Sequence, residues 1–205
     1  MGVFMIGILM NDSVSSELHD ISYIYNDVAN CIIKYGGIPV PISVDDYDTA
    51  INLIDKCSGI IIQGGDTFND NHLRIVNYLY DENIPTLGIC LGMQMMGVLF
   101  NGKLGYIDNH KSKLNYVHEV KINKKSLLYK IIKRDKIMVN SRHNDYLINT
   151  DLNICGESDV CEAIESKNRV FFLGVQWHPE TMVAYDIVAN QLFDYFIGGS
   201  LHGFK

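Results

Sequence analysis

The chain has 205 residues, 47% of them hydrophobic, and a formal net charge of −7. That is enough apolar material for one sizeable core and about the length of one domain, expected to run over residues 1–205. The acidic balance gives no electrostatic reason to bind nucleic acid or an anionic membrane, and no stretch is long and apolar enough to span a bilayer.

In chain order, VFMIGILM (residues 3–10) reads as a short buried strand. The opening MGVFMIGILMNDSV lacks the basic flank and cleavage site of a secretory signal, and Gly2 runs straight into the strand, against a myristoyl anchor. SSELHDISYIYNDVANCIIKYGG (15–37) has helical spacing closed by a glycine pair, and IPVPIS (38–43) is a second strand. DYDTAINLIDKC (46–57) reads as a helix, GIIIQGG (59–65) as a buried strand, and NDNHLRIVNYLYDEN (69–83) as another helix. PTLGIC (85–90) is a strand passing directly into the helical LGMQMMGVLF (91–100). Strands apolar along their whole length, separated by helical stretches, require a parallel sheet covered on both faces. The fold is expected to be α/β, with a mostly parallel central sheet flanked by helices.

Beyond residue 103 the texture changes. YVHEVKI, KIMVNS, NICGES, CEAIES and VFFLGVQWH predict shorter strands at closer spacing, with SLLYKIIK as a small helix between the first two. These would extend the sheet by antiparallel pairs. AYDIVANQLFDYFIGG (184–199) predicts a final helix packed back on the core.

Five cysteines, Cys31, Cys57, Cys90, Cys155 and Cys161, are scattered and form no CxxC pair, which argues against a disulfide framework or structural zinc and for a reducing cytoplasm. Four of them read as small apolar fillers. Cys90 differs. Flanked by Gly88 and Gly92, it stands where a buried strand becomes a helix, the setting of a nucleophile elbow. The carboxyl ends of parallel strands are where such sheets bind ligands, and a helix N-terminus favours the thiolate.

A thiol nucleophile needs a base, and the base needs an orienting group. GVQWHPE (174–180) offers His178, with Glu180 two positions later and Pro179 stiffening the link. One imidazole nitrogen could meet the carboxylate while the other faces the thiol. The oxyanion of an attacked carbonyl needs fixed donors, and the glycine pair Gly64 and Gly65, together with the N–H of Leu91, could supply them. His19, His72, His110 and His202 lie in helical or tail contexts and read as surface or core residues.

QGGD, LGICLGMQ, VNSRH and GVQWHPE, in that order, resemble the class I (triad) glutamine amidotransferases, and within them the branch of γ-glutamyl hydrolases and γ-glutamyl-GABA hydrolases. The resemblance covers nearly the whole chain and implies a flavodoxin-like fold. It implies Cys90 as nucleophile, His178 as general base and acid, Glu180 as orienting carboxylate, and Gly65 and Leu91 as oxyanion-hole donors. Gly64, Gln94 and the backbone around Ser141, Arg142 and His143 would bind the glutamyl group. Neither a metal nor an organic cofactor is implied. Leu91 stands where γ-glutamyl-GABA hydrolases usually carry arginine, and Asn144 and Asp145 follow His143 where they carry histidine and glutamine.

Three functions follow as expectations. One is a free-standing hydrolase of a small γ-glutamyl amide, supported by the lack of a fused synthetase domain. Another is a glutaminase subunit passing ammonia to a separate synthetase, and the third a non-catalytic binding protein. The leaving group would be chosen by NDSVSSELHD and NHKSKLNYVHE, where His118 could touch substrate or serve structure. A homodimer is the default for a soluble enzyme.

Overall fold

The computed structural model describes residues 4–14, 17–108 and 110–204. The elements run β1 (Met5–Leu9), β2 (Asn11–Val14), β3 (Asp20–Tyr23), α1 (Asn26–Lys34), β4 (Ile38–Ile42), α2 (Tyr47–Ile54), β5 (Gly59–Ile62), α3 (Asp70–Asp81), β6 (Thr86–Ile89) and α4 (Leu91–Leu99). They continue as β7 (Lys103–Tyr106), β8 (His118–Ile122), α5 (Leu127–Ile132), β9 (Lys136–Val139), β10 (Asp145–Ile148), β11 (Asn153–Glu157), β12 (Cys161–Glu165), β13 (Phe172–Val175), a 3₁₀ turn (Pro179–Thr181) and α6 (Ile187–His202).

Eleven strands form one sheet, whose path runs β4-β1-β5-β6-β13-β12-β11-β8-β9, with β10 pairing both β12 and β7. From β4 to β13 every pairing is parallel, and from β13 onward every pairing is antiparallel. The fold class is therefore the expected one: a parallel α/β centre extended by antiparallel strands from the C-terminal half. Strand periodicity builds two cores. Ile61, Leu87, Ile89, Leu173 and Val175 face the layer of α1 and α6, whereas Ile60, Ile62 and Phe172 face α2, α3 and α4. Among the described residues no helix is long and apolar enough to cross a membrane.

The helix expected over 15–37 begins only at Asn26. Ahead of it, β2 and β3 form an antiparallel ribbon, while Ser15 and Ser16 lie outside the described residues. The ribbon's anchor is tertiary. Buried Gln63 accepts from Tyr25 N at 2.8 Å and donates to the Tyr23 carbonyl at 2.9 Å, bonds that local periodicity cannot register. β7 and β10, four residues each, were likewise not expected; they pair with each other beside β12. The last helix starts three residues late, where the Asp186 side chain accepts from Ala189 N, and runs on to His202.

Glycines set how closely α4 approaches the sheet. A side-chain carbon at Gly92 would run into the Ile62 carbonyl, and one at Gly88 would come within 2.9 Å of Met93 N. Gly92→Ala is therefore expected to lower stability by about 1–3 kcal/mol, read as a lower urea midpoint at unchanged m-value.

Candidate active site

β6 ends at Ile89 and α4 begins at Leu91, so Cys90 alone makes the turn between strand and helix. Its backbone sits at φ 51° and ψ −104°, a strained conformation for a residue with a side chain. Two hydrogen bonds hold it there. Cys90 N donates to the Val175 carbonyl at 2.8 Å, and its own carbonyl accepts from Gln94 N at 3.0 Å. Gln176 Nε2 lies 3.5 Å from the sulfur as a donor.

β13, parallel to β6, delivers Trp177 and His178 to the same end of the sheet. His178 Nδ1 donates to Glu180 Oε1 at 2.6 Å, and Cys90 lies near enough to the ring to favour its charged form. With Nδ1 committed to the carboxylate, Nε2 is the nitrogen left for the sulfur. Gly64 lies beside both: a side-chain carbon there would come 2.7 Å from His178 Cε1 and 3.5 Å from Cys90 Cβ. Asn140 fixes the histidine's backbone, accepting from His178 N at 2.9 Å and donating to its carbonyl at 3.0 Å. The structure thus brings Cys90, His178 and Glu180 to one place, with the imidazole bonded to the carboxylate and next to the thiol.

Burial works against charge on His178, but the Glu180 carboxylate and the nearby Cys90 outweigh it and raise the pKa from 6.5 to about 10. A raised pKa means that the folded chain holds the proton more tightly than the unfolded chain. The resulting stabilisation is complete below about pH 6.5 and disappears as pH rises through about 10. The Tm difference between the native chain and His178→Gln should narrow across that window when melts are recorded at successive pH values. The other thiols contrast with this site. Burial pushes Cys31 and Cys161 up to about 12 and Cys57 up to about 11, so they stay protonated as packing groups.

Leu91 is the first residue of α4, so its N–H is one of the donors that a helix cannot use internally. Gly65 is oriented indirectly. Asn11 Nδ2 donates to the Gly64 carbonyl at 2.6 Å, and because the peptide is planar and trans, this turns the Gly65 N–H the opposite way. Gly65, Cys90, Gln94, Arg142 and His143 line one cleft of about 150 Å³ with Asp66, Tyr106, Lys111, Asn144 and Asp145. Gln94 donates to the Asp145 carbonyl at 3.0 Å and to Gln176 Oε1 at 3.3 Å. The Arg142 guanidinium reaches back to the carbonyls of Ser112 and Leu114, pinning the segment that carries Lys111. His143 Nδ1 donates to the Asp145 carbonyl at 3.0 Å, and burial lowers its pKa to about 4, leaving the ring neutral. Ser141 does not line the cleft: its side chain is wholly buried, and its carbonyl accepts from Ser112 N at 2.9 Å.

Four positioning residues went unassigned from sequence: Asn11, Gln63, Asn140 and Gln176. Gln63 and Gln176 carried a signal, since each is a wholly buried polar side chain at the carboxyl end of an apolar strand. His118 and His110 are not among the residues lining the cleft; both lie against Glu162, and His110 sits in the segment between β7 and β8, neither a helix nor a tail.

Residues 69–180 match the Peptidase C26 family. The glutamine-hydrolysing GMP synthase subunit of Methanothrix thermoacetophila is 32% identical over 145 residues, covering 68% of this chain and 75% of that protein. The CTP synthase of Chlamydia muridarum is 29% identical over 192 residues, which span 74% of this chain but only 35% of that longer protein. In three dimensions the glutaminase domain of Trypanosoma brucei CTP synthase, solved with bound acivicin, superposes with a TM-score of 0.73 at 18% identity, covering 97% of this chain and 94% of that one. By sequence match, the chain belongs to the Peptidase C26 family of the class I glutamine amidotransferase superfamily.

Proposed function

We propose that the protein is a cysteine-dependent hydrolase that cleaves the γ-amide of glutamine or of a small γ-glutamyl amine through a γ-glutamyl thioester. The observation that carries this reading is the meeting of Cys90 with the His178–Glu180 pair, hydrogen-bonded at 2.6 Å, at the carboxyl ends of β6 and β13. In the first half-reaction the Cys90 sulfur attacks the γ-carbonyl, and the oxyanion is met by the N–H groups of Gly65 and Leu91. Imidazolium His178 protonates the departing amine as the C–N bond breaks, leaving the thioester. Water then adds to the thioester carbonyl, giving its proton to neutral His178, and collapse of that adduct releases glutamate and the thiol. The net change is one amide and one water converted to glutamate and one amine. Glu180 keeps the ring oriented throughout.

Cationic Lys111 and Arg142 and anionic Asp66 and Asp145 around one small cleft suit the zwitterionic end of a glutamyl group. The test is hydrolysis of glutamine and a panel of γ-glutamyl amines, with Cys90→Ala as control and labelling of Cys90 by a diazo-ketone analogue of glutamine. Turnover of at least one compound with labelled Cys90 is expected; no turnover and no labelling would leave only a binding protein.

A second reading, ammonia delivery to a separate synthetase, draws support from the named glutamine-hydrolysing relative. It predicts comparably low rates on every compound and a marked rise on glutamine once the partner is added.

A further inference from the structure

Behind the cleft, a second group of reactive side chains meets that the hydrolysis does not use. Glu162 lies on β12, His118 opens β8, and His110 lies in the segment between β7 and β8. The Glu162 side chain is wholly buried, with Oε1 2.8 Å from His118 Nε2 and 3.7 Å from His110 Nε2. Ser158 Oγ donates to the same oxygen at 2.8 Å. Among the described residues, Glu162 Oε2, His110 Nε2 and His118 Nε2 are buried without a hydrogen bond of acceptable geometry. Two imidazole nitrogens and a carboxylate oxygen therefore converge within 4.8 Å of one another without satisfying each other.

We propose that His110, His118 and Glu162 form a binding site for a divalent cation of the zinc class. Two imidazoles and one carboxylate are a donor set such ions take, with a further position left to solvent. Zinc–ligand distances of about 2.0–2.2 Å place neighbouring donors of a tetrahedral site about 3.3–3.5 Å apart, and the 2.8 and 3.7 Å separations bracket that value. Small side-chain shifts close the site. A cavity of about 470 Å³, whose lining includes His110, His118, Glu119, Lys121, Glu157 and Asp159, opens onto both imidazoles and gives the ion a route from solvent in which three carboxylates outweigh one ammonium.

The cation's role is to fasten a wall. His110 stands in the segment that also carries Lys111 into the cleft, and its ring packs edge-on against His143 with centroids 4.7 Å apart. Glu162 belongs to the strand beside β13, and its carbonyl accepts from Gln176 N at 2.7 Å. A bound ion would tie the β7–β8 connection to the strand next to the catalytic one. The inference stands whether or not the protein hydrolyses amides.

The experiment uses the full chain carrying Cys90→Ser, which removes a competing thiolate ligand. After treatment with a chelator it is titrated with Co²⁺, followed by visible d–d absorption, and the Co²⁺ is then displaced with Zn²⁺. One equivalent with the intensity of a four- or five-coordinate site is expected, together with a rise in Tm on adding Zn²⁺ alone. His110→Ala and His118→Ala should each weaken binding by at least the ~10–100-fold that losing an outer partner of a metal site costs. Circular dichroism verifies that each variant is folded. No uptake by the parent chain, or unchanged uptake by folded His110→Ala and His118→Ala, would overturn the proposal.

Discussion

Cys90→Ala is expected to lower kcat on any accepted γ-glutamyl amide by about ten-thousand-fold or more, with the fold retained. On the proposed mechanism the sulfur is the group that holds the acyl fragment between the two half-reactions. Without it, the donors of Gly65 and Leu91 can only polarise a carbonyl toward water, which supports a slow background rate. Alanine keeps the bonds from Cys90 N to Val175 and from its carbonyl to Gln94, because both are main-chain. Circular dichroism should therefore be unchanged while single-turnover release of amine disappears. An activity loss smaller than tenfold would mean that another group performs the attack.

The second large effect is expected at His178. On the proposed mechanism His178→Ala removes both the acid for the leaving amine and the base for water, and a loss on the order of ten-thousand-fold in kcat is expected. Combined with Cys90→Ala it should cost little more than either change alone, since residues that act as one unit are non-additive. The single variant also separates two roles. Alkylation of Cys90 by iodoacetamide at neutral pH should slow when the imidazolium is gone, which a purely structural histidine would not cause. Full multiplicative loss in the double variant would show that the two side chains act independently.

The parallel half of the molecule could be read from local pattern because β1, β5, β6 and β13 are apolar along their length, and α1, α2 and α3 carry apolar stripes, while α4 is buried from Leu91 to Gly97. GIIIQGG, PTLGIC and VFFLGV announce themselves by composition alone. Cys90 was visible for a related reason: glycines on both sides of a thiol, where the apolar period changes, have a steric purpose, and Gly92 against the Ile62 carbonyl is that purpose. His178 was suggested as its partner by the His-Pro-Glu spacing after an apolar strand, and then by motif order. What escaped was held by contacts between distant residues. Asn11 grips Gly64 across 53 positions and Gln63 grips Tyr23 across 40, so the β2–β3 ribbon has no cause within its own sequence. The meeting of His110 and His118 with Glu162 depends on strands whose neighbours in the sheet are far apart in the chain.

The contorted backbone at Cys90 has an evolutionary corollary. Glycine would occupy that conformation comfortably, so the residue most favourable for folding at the elbow is one that can do no chemistry. A change to glycine there would relieve strain at the cost of the sulfur, so on the proposed mechanism selection for turnover is what holds the cysteine in place. A lineage released from that selection should surrender the thiol early, while the surrounding glycines, retained for steric fit, persist long afterwards.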